Sequence, residues 1–234
     1  MIDTLVSIGC SHMYGSECDG TTFAGHVANE FGLKHIDLSM PGGSNTYIRE
    51  TAIEHMTENR DRNCLYLIGW TTFSRHYFYW EDEDGEEQIY HWAQGVDPGP
   101  ASHTIGTDVK LLFDYFSLYL TNDMHGRKKR ISETVALGKV FESTNTPYVM
   151  MTSCSEWMKE DFDNGNPYVG NRYKKFVNWN NYFDPYDSFV HKMIQKHSKN
   201  FSPTLHGDKF VHDWYSNGLK KFVKKLYFKD YKNE

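Results

Sequence analysis

Short apolar runs separated by stretches of helical periodicity are the main pattern along this chain. The runs have the length of strands and lie at residues 4–9, 34–38, 64–69 and 148–152. The run at 64–69 is almost continuously apolar, as expected of a strand that is covered on both faces of a parallel sheet. Strands that alternate with helices imply right-handed crossover connections. The pattern therefore predicts an α/β fold, a three-layer α/β/α sandwich around a parallel sheet.

Six helices are predicted between and after these strands. Phe23, Val27 and Phe31 form an apolar stripe at helical spacing, and Gly32 ends it. The predicted ranges are 22–31, 45–59, 107–120, 127–143, 187–197 and a last helix that Thr204 caps and that runs to about residue 227. No linker or repeat divides the sequence, so residues 1–234 are expected to form one domain.

A long connection at about 70–106 is expected to be an insertion in that domain. Its acidic run at 81–87 predicts a solvated tip or a hairpin turn. Aromatic residues make up 16% of the chain, and many of them fall between Trp70 and Trp92. This segment either packs on itself or offers a platform for sugar rings or a partner surface.

Charge and hydropathy exclude several classes of function. The formal net charge is −6 and the pI is about 6.0, so no basic face suited to nucleic acid is expected. The basic run at 127–130 and the Lys-rich C-terminus fit solvated helix ends. No apolar stretch has the length of a bilayer span, and no secretory leader is visible. We therefore expect a cytoplasmic protein that binds neither nucleic acid nor a membrane.

The four cysteines are expected to be reduced thiols. Cys10, Cys18, Cys64 and Cys154 have spacings that match no zinc motif. The histidines are scattered without a ligating pattern, and the glycine-rich turn at 41–45 has neither a Walker nor a dinucleotide signature. The expectation is therefore that the protein uses no metal and no cofactor.

The serine that follows the first apolar run is the strongest candidate for chemistry. Ser11 comes directly after the strand predicted at 4–9, which places it at the carboxyl edge of the sheet. Open α/β sheets bind and transform ligands at that edge. A hydroxyl there becomes a nucleophile if a base reaches it and hydrogen-bond donors face the oxyanion.

Two blocks of the chain resemble the SGNH hydrolases, the GDSL esterase and lipase superfamily, in the short form common in phages and marine bacteria. Gly9-Cys10-Ser11 is similar to the Gly-Asp-Ser block of the family's nucleophile, with Cys10 in place of the aspartate. Gly42-Gly43 is similar to the glycine block after strand two, whose N–H faces the oxyanion. The resemblance implies a flavodoxin-like fold, Ser11 as nucleophile and Gly43 as an oxyanion donor.

The third family block, Gly-x-Asn-Asp, is replaced here by residues 69–72, which carry no asparagine. Thr71 offers a hydroxyl donor in its place, and Asn45 offers a side-chain amide from the second block. Arg75, which follows closely, is a candidate for holding an anionic or polyhydroxy substrate, with a surface ion pair as its alternative role.

The last family block, Asp-x-x-His-Pro, corresponds to the stretch around Pro203. Aligned on that proline, Ser202 takes the position of the base histidine, and His206 is the nearest imidazole that could act as base. His206 is predicted in the first turn of the last helix. His12 is expected to be structural or to face substrate. Two further histidines remain alternative bases and two aspartates could orient a ring: His197, His212, Asp208 and Asp213.

Two functions fit these residues. The first is a serine esterase that uses Ser11 and His206 on an ester, with an O-acetyl group on a carbohydrate as a reasonable substrate. The second is a binding or structural module of the same fold whose site has decayed, for example in a virus particle. The partners expected are a small-molecule or carbohydrate ester, with a homo-oligomer or a virion left open.

Overall fold

The computed structural model describes seven segments of the 234-residue chain. They are residues 2–59, 63–72, 75–81, 87–93, 123–154, 175–202 and 206–230. These segments contain the strands of the predicted sheet and five of the six predicted helices. The helix predicted at 107–120, the residues of the acidic run between 81 and 87, and Thr204 lie outside the described residues.

Four parallel strands form the main sheet. They are β1 (Thr4–Ile8), β2 (Lys34–Asp37), β3 (Cys64–Trp70) and β6 (Tyr148–Thr152). The order across the sheet is β2-β1-β3-β6, so β1 and β3 occupy the centre. The registers pair Val6 with Tyr66, and Ile68 with Met150. The predicted parallel sheet is confirmed, with each strand within two residues of the predicted bounds.

A two-stranded antiparallel sheet follows β3. Its strands are β4 (Arg75–Glu81) and β5 (Glu87–Ala93), which pair along their whole length from Arg75 with Ala93 to Glu81 with Glu87. Both strands lie inside the long connection at 70–106. The described part of this connection is therefore regular β-structure.

Six α-helices complete the described fold. They are α1 (Ser11–Tyr14), α2 (Phe23–Glu30), α3 (Asn45–Glu58), α4 (Asp123–Ser143), α5 (Phe189–His197) and α6 (Lys209–Tyr227). Two 3-10 turns lie at Trp179–Asn181 and Ser198–Asn200. The helix α4 begins four residues before its predicted start and continues through Gly126. Among the described helices, none has the length and apolar character needed to cross a membrane.

The start of α6 corrects one prediction. The N-cap is Asp208, whose carboxylate accepts a hydrogen bond from the N–H of Val211 at 3.1 Å. A carboxylate bound to a free first-turn N–H stabilises a helix start, so the helix begins after Asp208 rather than after Thr204. His206 therefore precedes the helix instead of lying in its first turn.

Side chains alternate between the two faces of the sheet and build two separate cores. Leu5, Leu67 and Val149 face a core formed with α2, α5 and α6. Val6 and Ile68 face a second core formed with α3 and α4. Because both faces are covered by helices, the predicted three-layer α/β/α sandwich is confirmed.

Two glycines allow α1 to pack directly on the ends of the central strands. A Cβ at Gly9 would lie 2.2 Å from Cγ of Met13, and one at Gly69 would lie 2.4 Å from the same atom. The Met13 side chain, which is fully buried, therefore occupies the space that these side chains would need. This close approach fixes the position of Ser11 at the edge of the sheet.

We expect Gly69→Ala to destabilise the fold by about 1–3 kcal/mol, the typical cost of overpacking a core. Its Cβ would also meet Oγ of Ser153 at 2.6 Å. Gly138→Ala in α4 is the matched control, because its nearest neighbour would be 3.7 Å away. That change should leave stability equal or raise it by up to about 1 kcal/mol. Urea unfolding of the two variants measures the difference, and equal stabilities would contradict this packing.

The buried imidazole of His212 should make stability depend on pH. It is 1% exposed, and its Nδ1 accepts a hydrogen bond from the N–H of Phe23 at 3.2 Å. Burial first, then the charge of His12, lowers the pKa of His212 to about 4. A folded pKa below the unfolded value gives stability that is present above about pH 6.5 and is lost as the pH falls towards 4.

The variant His212→Asn keeps an acceptor near the Nδ1 position but cannot be protonated. We expect the free energy of unfolding that is lost on acidification to be smaller in this variant by up to roughly 3 kcal/mol. Urea unfolding at pH 7.5 and 4.5 tests it, with His191→Asn on α5 as the control. An unchanged loss of stability between the two pH values in His212→Asn would show that another group is responsible.

Candidate active site

Residues that follow three neighbouring strands lie at the carboxyl edge of the sheet. Ser11 comes three residues after the end of β1, Thr71 directly follows β3, and Cys154 comes two residues after the end of β6. His206 arrives from the loop that precedes α6. In a parallel sheet these strand ends lie at one edge, so residues far apart in the sequence come together there.

Ser11 is the first residue of the short helix α1, which lies between an extended residue and a left-handed glycine. Cys10 before it is extended, and Gly15 after the helix has a left-handed φ of 76°. The carbonyl of Ser11 accepts a hydrogen bond from the N–H of Ser16 at 3.0 Å. Ser11 is 5% exposed, so little of its surface reaches solvent among the described residues.

His206, the predicted base, lies beside the residues that follow β1. Its ring centroid is 5.0 Å from that of His12. Its Nδ1 is 3.7 Å from Oε1 of Glu17, and the backbone N–H of His206 donates to Oγ of Ser202 at 3.2 Å. The structure therefore brings the predicted base to the segment that contains the predicted nucleophile.

The pKa of the His206 imidazole is lowered, which favours its neutral form. Burial is the largest cause of its lowered pKa, and the charge of His12 adds to this effect. The negative charge of Glu17 opposes the shift. A neutral imidazole that has a carboxylate near one ring nitrogen can accept a proton at the other nitrogen.

Glu17 is a candidate site residue that sequence reasoning missed. Its φ of 65° puts a non-glycine residue in the left-handed region, which persists only where the surrounding structure holds it. The carbonyl of Gly15 accepts from the N–H of Cys18 at 2.8 Å across this turn. No motif marks Glu17, because its role depends on the path of the loop after α1.

The Gly43 N–H, the expected oxyanion donor, already has a partner. It donates to the carbonyl of Met40 at 2.9 Å within a turn in which Gly42 has a φ of 80°. A Cβ at Gly43 would lie 3.0 Å from that same carbonyl oxygen. In this conformation Gly43 therefore allows a close backbone approach, and its N–H meets an oxyanion only if the turn opens.

Asn45 and Thr71 hold α3 against the end of β3. The Asn45 amide donates to the carbonyls of Thr71 at 3.1 Å and Thr72 at 3.3 Å, and its oxygen accepts from the N–H of Thr71 at 2.8 Å. The Asn45 amide, which was expected to reach the oxyanion, is therefore used in these hydrogen bonds. The Thr71 hydroxyl lies 3.6 Å from Sγ of Cys154.

Arg75 supplies positive charge to the same region. Its Nη1 is buried and makes no hydrogen bond with the described residues. Its charge acts to lower the pKa of four neighbours: Cys10, His12, Cys154 and His206. A guanidinium with a buried N–H that lacks a partner is suited to binding an anion or a polarised oxygen.

The alternative bases and orienting carboxylates lie elsewhere. The Nδ1 of His212 is occupied by the N–H of Phe23, and His197 packs against Trp214 at 5.2 Å between ring centroids. Asp208 caps α6, and Asp213 lies 3.9 Å from Nε2 of His26. Of the residues weighed from sequence, His206 is therefore the one that the described fold places beside α1.

A cluster of potential ligand atoms lies next to Ser11. The sulfur atoms of Cys10 and Cys154 are 3.9 Å apart, and these two atoms and a ring nitrogen of His12 all lie within 4.8 Å of one another. All three residues are buried, and the cysteines are free thiols, as expected. Motif spacing missed this cluster because Cys154 is 144 residues from Cys10.

Comparison with known proteins gives similarity in structure without similarity in sequence. No protein-family model and no curated protein matches the chain. The psychrotrophic esterase EstA from a Pseudoalteromonas species, inhibited by monoethylphosphonate, matches with a TM-score of 0.53 at 11% identity, over 95% of this chain and 97% of its own.

Two further solved structures share the architecture. TesA matches with a TM-score of 0.53 at 10% identity, over 96% of this chain and 99% of its own. A catalytic mutant of Axe2, an acetylxylan esterase from Geobacillus stearothermophilus, matches with a TM-score of 0.51 at 11% identity, over 94% of each chain. The fold implied by the Gly9-Cys10-Ser11 block is thereby confirmed: this chain has the fold of the SGNH, or GDSL, hydrolase superfamily.

Proposed function

We propose that this protein is an ester hydrolase in which Ser11 is the nucleophile, His206 the base and Glu17 the carboxylate that positions the base. The observation that carries the proposal is the placement of His206 beside α1, with its Nδ1 3.7 Å from the carboxylate of Glu17. A serine, an imidazole and a carboxylate are the groups that acyl transfer requires, and here the imidazole and the carboxylate lie near the helix that Ser11 begins.

The proposed reaction proceeds in two steps. Ser11 Oγ attacks the acyl carbon while His206 removes its proton and then gives that proton to the leaving alcohol. A water molecule, deprotonated by the same imidazole, hydrolyses the acyl-serine and restores the hydroxyl. Glu17 favours the tautomer of His206 whose proton is on Nδ1, which leaves the other nitrogen to act as base.

The oxyanion is the part of the site where the family pattern is least preserved. Since the N–H of Gly43 and the amide of Asn45 both have partners, the donors that remain are the N–H of Ser11 and the buried Nη1 of Arg75. A cationic donor in a desolvated position stabilises negative charge more strongly than a neutral one does. Arg75 would take over the role for which the family uses an asparagine.

An O-acetyl group on a carbohydrate is the substrate that we favour. One of the structural neighbours is an acetylxylan esterase. The sequence of β4 and β5 adds several aromatic residues to the segment that follows Arg75: Tyr77, Phe78, Tyr79, Trp80, Tyr90 and Trp92. Aromatic faces stack on the apolar faces of sugar rings, so this hairpin is the proposed contact for the alcohol part of the ester.

A binding module without catalysis is the second candidate. Three observations favour it: the N–H of Gly43 already donates to a carbonyl, the Asn45 amide is hydrogen-bonded to the end of β3, and Ser11 is only 5% exposed. Such a module would use the same edge of the sheet to hold a carbohydrate, for example in a virus particle. The two candidates differ in whether Ser11 turns over an ester.

We expect Ser11→Ala to abolish hydrolysis of p-nitrophenyl acetate, with a fall in kcat/KM of about 10³-fold or more, because the nucleophile is lost. A fluorophosphonate probe should label the native chain on the peptide that contains Ser11. Ser132→Ala, on the exposed surface of α4, is the control and should retain full activity. Turnover that persists in Ser11→Ala, or absence of labelling, would favour the binding module.

We expect His206→Gln to lower kcat by roughly 10²–10⁴-fold, the usual contribution of a general base. Glu17→Gln should cause a smaller loss, in kcat rather than in KM, because it disturbs the orientation of the base and leaves the base itself in place. His191→Gln on α5 is the control for loss of an imidazole. Equal activity in His206→Gln and His191→Gln would remove His206 from the proposed mechanism.

A further inference from the structure

Cys10, His12 and Cys154 have a geometry that the ester-hydrolase mechanism does not use. Tetrahedral zinc with bonds of about 2.3 Å to sulfur separates two thiolates by about 3.8 Å. The two sulfur atoms here are 3.9 Å apart. A ring nitrogen of His12 lies within 4.8 Å of both sulfur atoms, so the three potential ligand atoms are close enough together to surround one cation.

The His12 ring has a buried nitrogen that the protein does not satisfy. His12 is 7% exposed, and its Nδ1 has no hydrogen-bond partner among the described residues. Leaving a polar atom buried without a partner is costly, and such atoms call for an explanation.

The fold holds the two thiols together from opposite sides of β3. Cys10 follows β1 and Cys154 follows β6, and β3 lies between these strands. Because neighbouring strands are about 4.8 Å apart, the two backbones are separated by about twice that distance at the edge. Their side chains converge above the end of β3, where the hydroxyl of Thr71 lies 3.6 Å from Sγ of Cys154.

Cation binding at the two thiols is linked to their protons. The sulfur atoms of Cys10 and Cys154 are 3.9 Å apart, so one cation can contact both of them. A divalent cation bound to both sulfurs would displace the thiol protons, and its uptake would therefore release protons.

We infer that Cys10, His12 and Cys154 form a binding site for a thiophilic divalent cation of the zinc class. Two thiolates and one imidazole are a ligand set that Zn²⁺ prefers, and three protein ligands leave its fourth position for water or another ligand. Two thiolates neutralise the charge of the cation, so Arg75 adds a single positive charge beside the site. The inference does not depend on Ser11 acting as a nucleophile.

Titration of the reduced, chelator-treated full chain with Co²⁺, followed by Zn²⁺, tests the site. We expect one Co²⁺ per chain, with thiolate-to-cobalt charge-transfer absorption and the d–d bands of tetrahedral coordination. One equivalent of Zn²⁺ should abolish these bands, release protons and raise the melting temperature. Weak absorption without charge-transfer bands, or absence of a defined stoichiometry, would overturn the inference.

Matched cysteine and histidine variants assign the ligands. Loss of a hydrogen bond that supports a zinc ligand weakens binding by roughly 10- to 100-fold. Loss of a ligand itself should weaken Co²⁺ binding by more than that in each of three variants: Cys154→Ser, Cys10→Ser and His12→Gln. Cys18→Ser with Cys64→Ser is the control pair, and it should leave the spectrum unchanged. Loss of the charge-transfer bands in the control pair, or their persistence in Cys154→Ser, would contradict the assignment.

Two further readouts separate this site from the ester-hydrolase proposal and from simple misfolding. Ser11→Ala should bind Co²⁺ normally even if it hydrolyses no ester, so a failed esterase assay leaves the cation site testable. Circular dichroism of each variant reports whether it folds. If Cys10→Ser does not fold, Cys154→Ser and His12→Gln still carry the test, because either one removes a ligand from the set.

Discussion

The parallel alignment of β1, β3 and β6 is the constraint on which the rest of the structure depends. Because these strands run in the same direction, their carboxyl ends meet at one edge, and the residues that follow them meet as well. Cys10 and Cys154 become neighbours in this way. Gly9 and Gly69 leave space for the Met13 side chain at this edge, and its packing there holds α1 in place.

Two pairs of polar groups lie at or beside this edge. One pair is His206 with Glu17, whose Nδ1 and Oε1 atoms are 3.7 Å apart, and the other is Cys10 with Cys154, whose sulfur atoms are 3.9 Å apart. Arg75 contributes positive charge to both. Polar groups that concentrate in this way, against the local sequence rules, are expected at functional sites.

Residues near the site also show how stability and function are divided. Asn45 and Gly43 look like ligand-binding groups in the sequence, but the Asn45 amide joins α3 to the end of β3, and the N–H of Gly43 closes the turn before α3. His212 is similar, since its ring accepts a backbone hydrogen bond within the core. Such groups hold the edge of the sheet rigid, as a preorganised site requires.

The sequence by itself determined the layers, the parallel strands and the position of Ser11, because the spacing of apolar residues and of turn glycines is a local property. It could not determine which distant residues lie around this edge of the sheet. The approach of His206 depends on where Asp208 starts α6, the role of Glu17 depends on a left-handed turn, and the thiol pair joins residues 144 positions apart. Contacts between distant segments follow from strand order and loop path, and only the tertiary structure decided those.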